Sequence, residues 1–189
     1  MNNKIIQVTD DFWNIRGSFR IGGVVNIGTH CSLVRRSNGK FMLLDSYPLR
    51  GAVKRQVFDL TNDGEDVEAV LNVHPFHTVH VAATHKQFPN ARLYGTQRHK
   101  ERAPSLPWED LPLEDEALHT LFKDDFVFSV PRGVDFVSAN ESVHFSSVLV
   151  YHPASKTIHV DDTIMYLKLP LHMRALAPIP RVAFHPTLA

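Results

Sequence analysis

The stretch Asn72-Val73-His74-Pro75-Phe76-His77-Thr78-Val79-His80 places three imidazoles within seven residues, directly after the apolar run Val67-Glu68-Ala69-Val70-Leu71. Neutral imidazole is the commonest protein ligand of zinc, iron and copper, and ligands delivered by one short loop converge with little extra ordering. The pattern therefore predicts a strand over 67–73 whose carboxyl end opens into a metal-binding loop. A helix over 77–87 is expected next, with Thr78 as its N-cap, so that His77 and His80 both face the strand end. The alternative for any one of these histidines is a surface or hydrogen-bonded core residue. Three together favour a shared polar pocket.

Working outward, the residues before the cluster alternate strand-like and turn-like pieces. Strands are expected over 5–8, 19–27, 30–35 and 40–45, with Ser37-Asn38-Gly39 as a hairpin turn, which reads as a β-meander. Val53, Val57 and Leu60 then fall at helical spacing over 51–60, and Asn62-Asp63-Gly64 stops that helix before the strand. After the cluster comes a strand over 91–95, behind the Phe88-Pro89-Asn90 stop. Strand, helix, strand, helix, strand predicts parallel neighbours with right-handed crossovers. Residues 98–115, with Pro104, Pro107, Trp108 and Pro112, lack periodicity and read as a long surface loop. Alternation returns over 126–130, 134–137, 142–151 and 157–160, with Pro153-Ala154-Ser155-Lys156 as a second hairpin turn.

Composition narrows the function classes. A chain of 189 residues with 43% apolar content is expected to form one domain, 1–189, with a substantial core. Twenty basic residues balance twenty acidic ones, so there is no global field to favour nucleic acid, a membrane surface or a polyanion. Cys31 is the only cysteine, which excludes an intramolecular disulfide and a Cys-rich zinc finger and fits a reducing compartment. The start, Met1-Asn2-Asn3-Lys4-Ile5-Ile6, lacks the apolar core of a signal peptide, and no apolar run is long enough to span a bilayer. The expectation is a cytoplasmic protein.

Two further pieces stand at strand edges, where ligands would be needed: Glu141-Ser142-Val143-His144-Phe145-Ser146-Ser147 and His159-Val160-Asp161-Asp162-Thr163. Taken in order with Leu43-Leu44-Asp45-Ser46 and the histidine cluster, they resemble the metallo-β-lactamase fold superfamily over roughly residues 20 to 167. The resemblance implies an α/β (α+β) fold, an αββα sandwich of two mixed sheets flanked by helices, with ligands on loops at one edge of the packed sheets. Asn72 to His80 stands where that family carries His-x-His-x-Asp-His. His144 stands for its next histidine, and Asp162 for its bridging aspartate.

The departures from that pattern matter as much. When His77 and His80 take the places of the second and third histidines, Pro75 falls at the first and Val79 at the aspartate. His74 lies one residue early and would substitute through a backbone shift, whereas Val79 can neither bind metal nor orient water. The resemblance then implies His77 and His144 on one side and His80 and Asp162 on the other. Four ligands would close one tetrahedral zinc site, and three would leave a position for water. Between the adjacent carboxylates Asp162 is the expected ligand, since neighbours on a strand point to opposite faces. Asp161 reads as a strand-end carboxylate bonded to turn amides. Asp45 is expected to accept a bond from a ligand imidazole and fix its tautomer, or to cap a loop. In the tail, Arg181-Val182-Ala183-Phe184-His185 reads as a short strand ending in a candidate last ligand, His185, the alternative being a trimmed C-terminal edge. His30, His85, His99, His119, His152, His159 and His172 read as surface or structural residues.

Two functions follow. One is a metal-dependent hydrolase of an ester, thioester, lactam or phosphodiester, using a metal-activated water with Asp162 as the catalytic carboxylate. Its metal would be zinc, or iron or manganese, one ion rather than two. The other is a non-catalytic binding or structural module on the same scaffold, with an incidental metal or none. The implied partner is a small-molecule substrate or ligand, with no nucleic acid and no membrane, and a homo-oligomer is an option where a partner subunit covers the Pro-rich tail. Trp108 is expected to anchor its loop, or else to cover a substrate.

Overall fold

The computed structural model describes residues 3–21, 25–26, 28–133, 135–140, 146–167 and 181–184. Its central element is a six-stranded mixed sheet. β1 (Lys4–Thr9), β2 (Phe12–Gly17), β5 (Thr29–Arg35) and β6 (Phe41–Leu44) form the antiparallel half; β7 (Val67–Asn72) and β8 (Arg92–Gly95) continue from β6 in parallel. The hairpin turn between β5 and β6 falls at Ser37-Asn38-Gly39 as expected, with Gly39 at φ +83°. The parallel half arises from the strand-helix-strand pattern. Helix α1 (Gly51–Leu60) joins β6 to β7, and α2 (Val81–Gln87) joins β7 to β8. Asn62, Asp63 and Gly64 all adopt positive φ after α1, the left-handed conformation that Asn, Asp and Gly tolerate best.

At β6 both faces of this sheet are buried, which is why that strand is apolar without alternation: Phe-Met-Leu-Leu reads as one buried run. Phe41 and Leu43 turn to one face with Leu33, Val53, Val57, Val81 and Leu93, beneath α1 and α2. Met42 and Leu44 turn to the other with Val34, Ala69, Leu71, Phe126 and Val150. The register slips between Phe41 and Met42 against β7, so Val67 and Val70 share the helix face while Ala69 and Leu71 share the other. That second face packs against an antiparallel sheet of β9 (Val127–Ser129), β10 (Leu149–His152) and β11 (Thr157–His159), in the order β11-β10-β9. β12 (Ile164–Leu167) and β13 (Arg181–Phe184) pair antiparallel in a separate two-stranded sheet. Among the described residues no helix is long and apolar enough to cross a membrane.

Several local expectations are corrected. The unforeseen strand β2 pairs with both β1 and β5, and the strand expected over 19–27 is instead a short hairpin of β3 (Arg20–Ile21) and β4 (Val25–Asn26). Trp13 and Ile15 face the α1 side while Phe12 faces the other, so two adjacent aromatics hid the period. The loop expected from residue 98 begins with helix α3 (Gln97–Arg102), and α4 (Glu116–Leu121) follows it, capped by Asp115 accepting from Ala117 N–H at 2.8 Å. Trp108 is an anchor: its indole N–H donates to Ala103 carbonyl at 2.8 Å, and it bridges Leu93. Residues 135–137 are not a strand; Val134 and 141–145 lie outside the described residues, and β10 begins only at Leu149.

Candidate metal centre

The parallel strands β6, β7 and β8 deliver their carboxyl ends to one edge of the sheet, where ligand sites of α/β folds form. Asp45 leaves β6 there at φ +65°. Its Oδ1 accepts the Val73 N–H at 2.8 Å, and Val148 N–H donates to the Val73 carbonyl at 3.0 Å, so the chain is held on both sides just before His74. His74 is fully buried. One tight turn later the His77 N–H donates to the His74 carbonyl at 3.0 Å. That turn stacks the two rings, with centroids 4.0 Å apart and planes 18° from parallel.

The facing side comes from the turn after β11. Asp161 Oδ2 accepts from His77 Nδ1 at 2.5 Å, while Asp162 Oδ2 lies 3.2 Å from His77 Nε2 and 3.6 Å from His74 Nε2. Both carboxylates thus address the same ring, contrary to the expectation that only one would enter the pocket. Strand alternation does not apply to them, because β11 ends at His159 and Asp162 adopts φ +49°. The turn is pinned from below: Ser147 hydroxyl donates to the Asp161 carbonyl at 2.6 Å, and Thr163 Oγ1 accepts Ser147 N–H at 3.0 Å.

One ligand atom from each of His74, His77 and Asp162 lies within 4.8 Å of the others. Two imidazole nitrogens and a carboxylate oxygen are a donor set that suits zinc and similar divalent ions. Asp161 strengthens the fit, since it holds the proton on His77 Nδ1 and turns Nε2 towards the group. His74 Nδ1 accepts the Phe76 N–H at 3.2 Å. In the neutral ring this places the proton on Nε2, so a cation at Nε2 requires the other tautomer at the expense of the Phe76 bond.

The titration behaviour is divided. Burial, followed by the nearby His77, holds His74 down to about 4. Burial opposes charge on His77 too, but Asp161 and then Asp162 outweigh it and raise that ring to about 11. Burial alone would raise Asp161; His77 reverses this and holds the carboxyl well below the usual range. Without a metal the site is an imidazolium clasped by two carboxylates beside a neutral imidazole.

The remaining candidates fall differently. His80 is not part of the triad and, in place of Thr78, is the N-cap of α2. Its ring stands edge-on to Tyr47 at 5.6 Å and Phe19 at 6.1 Å. Its pKa is lowered by burial, then by His77 and Arg50. His144 and His185 lie outside the described residues. Asp45 serves no ring of the triad; its second oxygen faces His159 Nε2 at 2.8 Å. His159 is buried and carries this bond, although its sequence position gave no partner at short spacing. Val79, at the place of the motif aspartate, is 73% exposed.

No protein-family model matches the sequence, and no curated protein matches it. Solved structures do share its shape. A metallo-β-lactamase from Pontibacter korlensis superposes with a TM-score of 0.59 at 12% identity, over 89% of this chain and 75% of that one. The DIM-1 metallo-β-lactamase gives 0.56 at 14% identity over 89% and 73%. A metallo-β-lactamase from Hirschia baltica gives 0.55 at 11% over 87% and 73%. The chain has the αββα metallo-β-lactamase fold, with its own triad at the sheet edge.

Proposed function

We propose that this chain, built on the metallo-β-lactamase fold, is a metal-dependent hydrolase holding one divalent ion, zinc by its donor set, at His74, His77 and Asp162. The observation that carries this reading is the convergence of those three donors at the carboxyl ends of the parallel strands, with Asp161 orienting His77. The ion would supply Lewis-acid chemistry, polarising a carbonyl or phosphoryl oxygen and making water more acidic. The protein's own part is to hold and aim. Asp161 fixes the His77 tautomer, Ser147 and Thr163 lock the turn that carries both carboxylates, and the Asp162 oxygen not turned to the histidines can take the proton of an attacking water. The substrate is a small ester, thioester, lactam or phosphodiester.

A non-catalytic module on the same fold is favoured by one observation, the exposed Val79 where the motif places an aspartate. Zinc stoichiometry and turnover measured on the same preparation separate the two. One tightly held zinc with hydrolysis of a model ester, lactam or phosphodiester that is lost in Asp162→Asn supports the enzyme. Zinc without turnover supports the module, and no zinc at all overturns the metal site.

A further inference from the structure

A buried chain of polar groups lies behind the triad. His159, on β11, is almost completely buried between the two sheets. Its Nδ1 lies 2.9 Å from the hydroxyl of Ser32 on β5, and its Nε2 lies 2.8 Å from Asp45 Oδ2 after β6. The Asp45 carboxylate can only accept, so His159 Nε2–H donates to it, and in the neutral ring Nδ1 then accepts the Ser32 hydroxyl proton. Asn14 Nδ2 donates to the same Ser32 oxygen at 3.4 Å. The His30 ring packs against His159 at 5.0 Å, 31° from parallel.

The consequence lies at both ends of this link. Asp45 uses its other oxygen to hold the N–H of Val73, the residue before His74. His159 itself stands two residues before Asp161 and three before Asp162. One side chain therefore joins the strand that feeds the carboxylate turn to the strand end that feeds the histidine loop. The two ligand-bearing segments are far apart in sequence, and Asp45 and His159 are 114 positions apart.

We propose that His159 is a positioning residue which, through Asp45, sets the distance between the His74–His77 loop and the Asp161–Asp162 turn and so tunes metal affinity. This rests on the metal-site reading above. Partners outside the first ligands commonly change metal affinity by about 10–100-fold when removed. A residue that only filled the core would change stability and leave the affinity of the folded protein where it was.

The test is zinc affinity by chelator competition on full-length protein, with folding checked by circular dichroism. His159→Phe keeps the bulk and removes both hydrogen bonds; it is expected to weaken zinc by about 10–100-fold. His159→Gln retains a donor for Asp45 and is expected to restore most of the affinity. Asp45→Asn combined with His159→Phe should be no worse than the poorer single variant, because the two act in series. If His159→Phe does not fold, Ser32→Ala serves instead, expected to weaken zinc to a smaller degree at little cost in shape. Zinc bound by the native protein and equally by the folded variants overturns the role of His159 alone. No zinc bound by the native protein overturns the metal site and this proposal with it.

Discussion

Asp161 and His77 meet at 2.5 Å, carboxylate oxygen to Nδ1, from positions 84 residues apart in the chain. The bond occupies Nδ1 and leaves Nε2 as the nitrogen of His77 turned towards His74 and Asp162. It also divides the labour between adjacent residues: Asp161 orients His77 through Nδ1, and Asp162 faces Nε2 of both His74 and His77.

Replacing each in turn should show that division. Asp161→Asn can still accept the His77 proton through its amide oxygen but loses the negative charge, and is expected to weaken zinc by about tenfold. Asp162→Asn removes a charged donor and should weaken it further. Isothermal titration of the two variants checks the order. Equal losses would mean that both carboxylates bind the ion.

Metal uptake should release a proton. His77 is raised to about 11, so at neutral pH its ring is charged in the metal-free protein. A cation can take Nε2 only after that proton leaves, and binding therefore strengthens as pH rises. Between pH 6 and 9, well below the folded pKa, each displaced proton makes the apparent affinity climb about tenfold per pH unit. Zinc titrations in buffers of different ionisation heat would count the protons; none released would contradict the charged His77.

Val79→Asp should leave both stability and stoichiometry unchanged. The side chain is 73% exposed, and substitutions at such positions usually fall within about 0.5 kcal/mol. Its carboxylate would project to solvent instead of towards His74, His77 and Asp162. A second zinc equivalent in the variant would show that position 79 reaches the site.

Gly17→Ala should destabilise the fold by about 1–3 kcal/mol, the range for forcing an extra carbon into a packed region. A Cβ at position 17 would run into the Tyr47 ring, whose hydroxyl accepts the Ser18 N–H at 3.3 Å. The ring must shift, and with it the wall against which His80 leans. Chemical denaturation measures the loss. An unchanged midpoint would mean that Tyr47 moves freely.

The parts of this molecule governed by local rules were legible in the sequence. The apolar run before Asn72, the Asn62-Asp63-Gly64 stop and the hairpin at Gly39 each depend on neighbours in the chain, and they led to the parallel strands and to a site at their ends. His74 and His77 were named from that pattern and Asp162 from the family resemblance, with His80, His144 and His185 given an equal place; the structure groups the first three, and His144 and His185 lie outside the described residues. What escaped depends on distant partners. Helix α3 is Gln-Arg-His-Lys-Glu-Arg, with no apolar stripe to announce it, and it forms where His99 is buried against Trp108. His159 had no neighbour of interest within reach along the chain, because Ser32 and Asp45 arrive from another sheet. The pairing of Asp161 with Asp162 was misjudged by extending strand alternation past the point where the strand stops.

The common direction of β6, β7 and β8 also has a practical side. The carboxyl end of β7 carries His74 and His77, and the amino ends of β6 and β7 are fed by the hairpin at Gly39 and the turn through Asn62-Asp63-Gly64. Asn62 and Asp63 are exposed, and the six residues of β7 separate them from His74, roughly 20 Å at the usual rise of a strand. A fluorophore, an affinity tag or an immobilising linker attached there sits at the far pole from the triad, so the protein can be labelled or tethered to a surface with the His74–His77 edge facing outward.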